Sequence, residues 1–413
     1  MARRENASGP GSRALVVDLI RSAGPISRAE LTERTGLTQP SISNIVRRLL
    51  DDGVVRESGT RGDTGGKPRT LLTINSRATV AFGVDVEGGR IVCVATDTRG
   101  GVFGRQLVDA PESATEPLAS RVAALYRDVR DGLAVDESSV AGLAIVGPGP
   151  TSPLPGRSGA QVSPGWHGAE LGLAVRELVD VPVHLDLDAA AAAVGEYWSR
   201  GISRDATFGC IHLGSSIGVG ILTQGSLFRG ASSNAGALGH VCVEPEGRPC
   251  PCGARGCLQQ YASTQAVVEG ARADARFVEE LGLEAQDDEN HVFDVLTRAA
   301  VQGHPGAMGH VTAAANRVAQ ALVDLTNIVD LDHVVLTGPG VAVAGSIYVR
   351  AARDALTRLA VARGSHGVLV ELSSHPRDAA AVGAASVVLQ SVIAPGHGSR
   401  LAFPDLHASA AIR

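Results

Sequence analysis

Within 18 residues the chain places His240, Cys250, Cys252 and Cys257. Three thiols and one imidazole make a closed tetrahedral donor set for Zn2+. Gly253 and Gly256 permit the tight path that lets all four reach one ion. A set with no vacant position implies a structural metal, one per chain, rather than a catalytic one. Sites of this kind contribute on the order of 10–16 kcal/mol in model peptides. Two disulfides or free buried thiols are the alternatives. Cys-x-Cys is poor disulfide geometry, and no apolar segment precedes Ser12 to read as an export signal, so a reducing cytoplasm is expected. Cys242 reads as a strand residue and spare thiol, Cys93 and Cys210 as small core residues of apolar strands.

The rest of the 413-residue chain is 44% hydrophobic but only 3% aromatic, so its core must be built from Ala, Val, Leu and Ile. Its length allows two to four domains at roughly 100–200 residues each. Gly 50 and Pro 20 without a period exclude collagen-like and low-complexity chains. No run of apolar residues is long enough to predict a membrane span. Charge is unevenly divided: residues 1–70 carry a net +4 and the remainder a net −10. A basic segment on an acidic body suggests a polyanion-binding module joined to something else. A solvated helical surface is the plainer alternative.

The basic segment decides for the module. Leu15, Val16, Leu19 and Ile20 recur at helical spacing until Gly24-Pro25 stops the helix. Ser27-Arg28-Ala29-Glu30 is a capping box opening a helix over 28–35. Gly36 suits a tight turn. Thr38 caps a third helix, about 39–51, with Pro40 in its first turn. Ile42, Ile45, Val46, Leu49 and Leu50 form its apolar stripe. Gln39, Ser41, Ser43, Asn44, Arg47 and Arg48 form the opposite face, with side chains able to read base edges or reach phosphates. Val54-Val55 opens a strand, residues 61–69 form a basic tip, and residues 70–74 return. This is a winged helix-turn-helix over residues 1–75. Arg61, Lys67 and Arg69 are expected at a minor groove or phosphates, and double-stranded operator DNA is the expected partner. A small protein-interaction domain is the other reading of three short helices.

From residue 80 the pattern alternates between strands and helices, so the body is α/β. Residues 80–86 and 91–95 read as a hairpin. Further strands are expected at 140–146, 183–187, 207–213, 217–223 and 333–337, and helices near 117–133 and over 311–330. Residues 274–292 are acidic and suit a surface helix and loop. Gly-rich turns at 83–89, 213–220 and 337–340 carry backbone N–H groups able to bind anions. Trp166 reads as a packed loop aromatic.

Taken together, the Thr64-Gly65-Gly66-Lys67-Pro68 wing, Gly239-His240 and Cys250-x-Cys252-Gly253-x-x-Gly256-Cys257-Leu258 resemble the ROK family of sugar-responsive repressors and sugar kinases, from the winged helix to near residue 395. The resemblance implies a two-lobed, actin-like ATPase core with a sugar cleft. It also implies zinc on one His and three Cys, and a homodimer or homotetramer. It places a small lobe at 76–188 joined by 374–396, a large lobe at 189–373, and a tail at 397–413. Kinases of the family carry an Asp-x-Gly-Gly-Thr phosphate loop. Here that stretch is Asp85-Val86-Glu87-Gly88-Gly89-Arg90, so a carboxylate stands where phosphate should approach. The sugar-binding Asn is Leu187, the acid two residues before Gly239 is Ala237, and the Glu after Gly-Cys-Leu is Gln259. Phosphoryl transfer depends on such positioning groups, so no kinase activity is expected. Asp188, His240 and Gln259 remain as hydrogen-bonding groups for a sugar or sugar phosphate. Asp188 also reads as a helix cap, since five alanines follow it. The resemblance therefore implies a carbohydrate-gene repressor relieved by a sugar, with a constitutive or partner-controlled regulator as the alternative and an active sugar kinase as the remoter one.

Overall fold

The structure is a computed structural model and describes residues 10–62, 68–76, 79–110, 116–133, 135–149 and 168–394. Lys67 and the wing tip 63–67, Trp166, and the tail 397–413 lie outside the described residues.

The N-terminal helices form as their caps dictate. Helix α1 spans Pro10–Ala23, α2 Arg28–Thr35 and α3 Gln39–Asp51. Ser27 Oγ accepts from the Glu30 N–H while the Glu30 carboxylate accepts from the Ser27 N–H, closing the capping box. Gly36 ends α2 at φ +67°, a left-handed angle that favours glycine. Strands β1 (Ile26–Ser27), β2 (Val55–Arg61) and β3 (Arg69–Ile74) pair antiparallel in the order β1-β3-β2. The two-residue β1 carries no readable period, and the sequence did not signal it.

Two five-stranded sheets share one design. The first contains β4 (Val80–Glu87), β5 (Arg90–Thr96), β6 (Val102–Asp109), β7 (Val140–Gly147) and β8 (Val183–Leu187), ordered β6-β5-β4-β7-β8. The second contains β9 (Phe208–Leu213), β10 (Ile217–Thr223), β11 (Ser226–Leu227), β12 (His333–Thr337) and β13 (Leu369–Leu372), ordered β11-β10-β9-β12-β13. In each, three antiparallel strands are followed by two parallel ones. Strand β6 escaped the sequence reading because it is an edge strand exposed along most of its length, with no buried alternation to detect.

Helices α4 (Leu118–Gly132) and α5 (Gly168–Arg176) flank the first sheet. Against the second lie α7 (Gln259–Ala262), α8 (Thr264–Arg272), α9 (Ala275–Glu280), α10 (Glu289–Val301), α11 (Pro305–Val329) and α12 (Gly345–Leu359). Helix α11 starts six residues before the expected 311, since His304 caps it and Pro305 fits its first turn. No described helix is long and apolar enough to cross a membrane.

Two further helices join the sheets. Helix α6 (Asp188–Ser199) leaves the first sheet and packs on β9 and β10, while α13 (Ala379–Ile393) leaves the second and packs on β4, β5 and β7. They cross where Gly195 meets Gly383. A Cβ at Gly383 would collide with the Ala191 carbonyl, and one at Gly195 would lie 2.8 Å from the Gly383 Cα. Both neighbours are backbone and cannot swing aside. The alanines near both glycines, at 189–193 in α6 and at 379–381, 384 and 385 in α13, permit this approach.

Replacing Gly383 by Ala is expected to cost about 1–3 kcal/mol of stability through overpacking, read as a lower urea midpoint with an unchanged slope.

Candidate nucleic-acid interface, metal cluster and cleft

On α3, Gln39, Ser43, Asn44, Arg47 and Arg48 are exposed, while Ile42, Ile45, Val46 and Leu49 are buried beneath them. Thr38 is the N-cap, its Oγ1 accepting from the Ser41 N–H. Ser41 is half-buried, and its hydroxyl lies 3.0 Å from Thr38 Oγ1. Arg47 donates to Asn44 Oδ1, which pre-orients both side chains on the exposed face. Arg61 and Arg69 are paired neighbours across β2 and β3 and both are exposed, with Arg61 3.3 Å from Glu30. Every described residue expected to touch DNA, apart from half-buried Ser41, is therefore exposed.

This module is fastened to the body through α1. Trp198, Ile393 and Ala394 are buried in the same apolar cluster as Val16, Ile20, Ile42 and Leu49. Arg21, with its side chain 4% exposed, donates to the carbonyls of Tyr197 and Trp198 at 2.8 Å and to that of Ile202 at 3.2 Å. It also pairs with buried Asp18 at 2.6 Å, and Asp18 accepts from the Tyr197 hydroxyl. The Tyr197 and Trp198 carbonyls also accept the backbone N–H groups of Ile202 and Gly201 at 3.3 and 3.4 Å, and the guanidinium adds a charge that complements the negative end of α6. Arg21 and Asp18 were missed in the sequence. Their signal is a charged pair, three residues apart, within the otherwise apolar part of α1.

The cysteine cluster assembles as its spacing implied. One donor atom from each of His240, Cys250, Cys252 and Cys257 falls within 4.8 Å of the others. His240 Nδ1 lies 3.7 Å from Cys250 Sγ, and Cys252 Sγ lies 3.7 Å from Cys257 Sγ. Gly253 and Gly256 turn at φ +93° and +71°, the left-handed angles the loop needs. The donors suit a structural metal ion. Burial, then the Cys250 and Cys252 thiols beside it, push the Cys257 thiol up to about 12, whereas a bound cation would favour the thiolates. Burial also lowers His240, keeping its imidazole neutral. Cys242 corrects the expectation of a strand: it is exposed in a loop and makes only an isolated bridge to Cys257. Cys93 and Cys210 are buried in strands. Gln259 is half-buried on α7 with its amide 3.9 Å from Cys250 Sγ, so it supports the cluster.

Between the two large sheets lies a cleft of about 260 Å³. Asp85, Glu87, Arg90 and Arg105 line it from the first sheet, Ser215, Asn290 and Arg377 from the other side. At its base Glu87 does more than repel phosphate. Its Oε1 accepts from the Ser215 N–H at 2.7 Å and hydroxyl at 3.0 Å. A Cβ at Gly214 would collide with the same carboxylate. Glu87 Oε2 faces His212 Nε2 at 3.6 Å. The side chain thus occupies the Gly-rich turn after β9 as an anion would.

Burial raises Asp85 well above the usual carboxylate range and pushes Asp188 up to about 6, with the Glu87 charge adding to both. Burial opposes charge on His212, yet Glu87, Asp188 and Asp85 lift it to about 9. Burial would raise Glu87 as well, but His212 and the Ser215 donors hold it below its ordinary value. His212 was missed in the sequence because it sits inside an otherwise apolar strand. Asp188 is the first residue of α6 while Leu187 holds the N-cap position. Its Oδ1 accepts from the Ala189 N–H at 2.5 Å. Among the described hydrogen bonds and ion pairs, none joins Asp188 to His240 or Gln259.

The ROK family model matches residues 81–391, and a MarR family model matches residues 10–64. The chain belongs to the ROK family. It is 26% identical over 344 residues to the xylose repressor of Bacillus subtilis (strain 168), covering 82% of this chain and 87% of that one. A crystal structure of a ROK family transcriptional regulator, described as a homolog of the Escherichia coli MLC protein, superposes with a TM-score of 0.71 at 22% identity, over 94% of this chain and 97% of that one. A ROK family glucokinase from Streptomyces griseus, in complex with glucose and AMPPNP, gives 0.64 at 27% identity over 75% and 98%. The actin-like ATPase core and the N-terminal winged helix are both confirmed, and both repressors and kinases stand among the relatives.

Removing Arg21 should leave Asp18 buried without its cation and take the guanidinium from the carbonyls of Tyr197, Trp198 and Ile202. Arg21→Ala is expected to cost about 3–5 kcal/mol. Hydrogen exchange of α1 and of the last turn of α6 should accelerate together; protection unchanged in either would contradict the joint.

Proposed function

We propose that this protein is a DNA-binding repressor of carbohydrate-uptake or carbohydrate-metabolism genes, relieved by a sugar or sugar phosphate in the cleft. The observation that carries the reading is the course of α6 and α13. The N-terminal end of α13, through Arg377 and Asp378, lines the cleft, that of α6, Asp188, is buried beside the cleft residue Glu87, and the C-terminal ends of both helices are packed into the winged helix-turn-helix. A ligand that changes how the sheets close around the cleft therefore moves the DNA-binding module. It does so only if it binds one closure state better than the other. The relative named xylose repressor supports the sugar class, with xylose the first sugar to test.

The domains in this reading are 1–75, 76–188 with 374–396, and 189–373, followed by the tail 397–413. Gln39, Ser41, Ser43, Asn44 and Arg47 enter the major groove, with Thr38 and Arg48 at its edge. Arg61, Lys67 and Arg69 meet the minor groove or phosphates. Two heads on a partly palindromic operator require a homodimer or homotetramer, working in the cytoplasm. Asp188, His240 and Gln259 are the candidate sugar contacts. Zn2+, one per chain, is the metal that three thiolates and an imidazole favour, with His240, Cys250, Cys252 and Cys257 as ligands. The protein performs no phosphoryl transfer in this reading, since the Glu87 carboxylate fills the place a phosphate would need. Leu187, Ala237 and Gln259, none of them the family's sugar-binding residue, favour the second reading, a regulator controlled by a protein partner or by nothing.

Gel-shift titration against DNA flanking its own gene tests the reading. Binding should be specific, and Arg47→Ala should weaken it by about 1–3 kcal/mol if Arg47 reads a base. Release by one member of a sugar and sugar-phosphate panel is expected; release by none favours the second reading, and failure to bind any duplex overturns both. In a separate test, Cys257→Ser should lose zinc by elemental analysis and lower the Tm together. A wild-type protein that holds no metal would refute the zinc assignment.

A further inference from the structure

We propose that Glu87, Asp188 and His212 hold a second divalent cation, of the Mn2+ or Zn2+ class, at the base of the cleft. Donor atoms of the three fall within 4.8 Å of one another. All three side chains are buried: Glu87 is 8% exposed by side chain, Asp188 4% and His212 0%. Asp188 Oδ2 and His212 Nε2 have no hydrogen-bond partner, nor does Oδ1 of the neighbouring buried Asp85. Unsatisfied buried polar atoms are costly, and several converging in one place need a common partner.

Each side chain is tied down by one polar atom and leaves another aimed at the shared space. Glu87 Oε1 takes both Ser215 donors, leaving Oε2 toward His212. Asp188 Oδ1 takes the Ala189 N–H, leaving Oδ2. His212 Nδ1 lies 3.2 Å from Thr337 Oγ1, whose hydroxyl donates to the Ile211 carbonyl at 3.2 Å. Thr337 must therefore accept from Nδ1–H, so the proton that the surrounding carboxylates hold on His212 is the one on Nε2, and a cation that displaces it finds the Nε2 lone pair as its ligand. In the metal-free protein the Nε2 proton stands between the imidazole and the Glu87 carboxylate, and a bound cation takes its place. The 3.6 Å between Nε2 and Oε2 is long for a hydrogen bond. It matches a ligand–ligand edge of about 3.3–3.6 Å in a tetrahedron with bonds of about 2.0–2.2 Å. Orienting one imidazole nitrogen through the other is how proteins prepare a histidine ligand.

Charge and softness select the ion. Once the cation has displaced the His212 proton, the Glu87 and Asp188 carboxylates and the neutral imidazole are balanced by one divalent charge. An imidazole with two carboxylates and no thiolate suits Mn2+ or Zn2+, whereas an all-oxygen set would suit Mg2+ or Ca2+. Glu87 lines the cleft, which gives the ion a route from solvent. Three protein ligands leave coordination positions for water. The ligands come from β4, β9 and the first residue of α6, so the ion would bind both large sheets and the helix that Arg21 grips at its other end.

The test uses the full chain with the cysteine cluster left loaded. Titration with MnCl2, followed by electron paramagnetic resonance, should show one tightly bound Mn2+ per chain, and pulsed measurements should detect one imidazole nitrogen coupled to it. His212→Gln should abolish the nitrogen coupling, and Glu87→Gln should weaken binding at least tenfold. Thr337→Val keeps all three ligands and should weaken binding roughly tenfold by freeing the imidazole. Zinc in the cysteine cluster should be unchanged throughout, which separates loss of the site from loss of the fold. The proposal is overturned if the wild type binds no Mn2+ or Zn2+ beyond the first ion, if its bound Mn2+ carries no nitrogen coupling, or if His212→Gln binds as well as wild type.

Discussion

The backbone-to-backbone crossing of α6 and α13 is the constraint on which the rest of the molecule depends. Two helices whose axes approach this closely can carry no side chains at the contact, hence Gly195 and Gly383. Each helix starts at one sheet and packs on the other, so the crossing is what makes two separate sheets a single body with a cleft between them. The alanine runs that surround it exchange side-chain volume for proximity. That exchange accounts for a chain so poor in aromatic residues that still buries a large core.

The same two helices explain why the DNA-binding module is part of the body rather than a bead on a string. Trp198 at the end of α6 and Ile393 at the end of α13 are core residues of the winged helix-turn-helix as much as of the body. The Trp198 indole donates to the Thr98 carbonyl at 2.8 Å, so the first sheet holds the joint as well. Interfaces built from buried apolar contacts and a satisfied guanidinium have discrete arrangements, which is what a two-state regulator needs.

Much of this was legible in the sequence where a local rule operates. The capping box at Ser27 and Glu30, the Thr38 cap, the glycine turn at Gly36 and the cysteine spacing each specify their geometry within a few residues. The β4–β5 hairpin and strands β7 to β10 and β12 were visible as apolar runs. What the sequence hid depends on distant partners. Strand β6 has no buried face to generate a period. Cys242 looked like a strand residue because its neighbours are apolar, but the loop path through Gly256 leaves it at the surface. His212 and Glu87 lie 125 positions apart, and only the closing of two sheets makes their charges one cluster. Asp188 looked like a cap, and the helix does begin there, yet its outer oxygen faces the cluster.

The way Arg21 seats on α6 bears on how this protein can be dissected. Cut away the first 75 residues and the last turn of α6 is stripped of its donor, while the indole face of Trp198 and the end of α13 are bared to water. The remaining fragment would be a stickier and differently balanced molecule, so ligand affinities measured on it would describe a truncated machine with its output shaft removed.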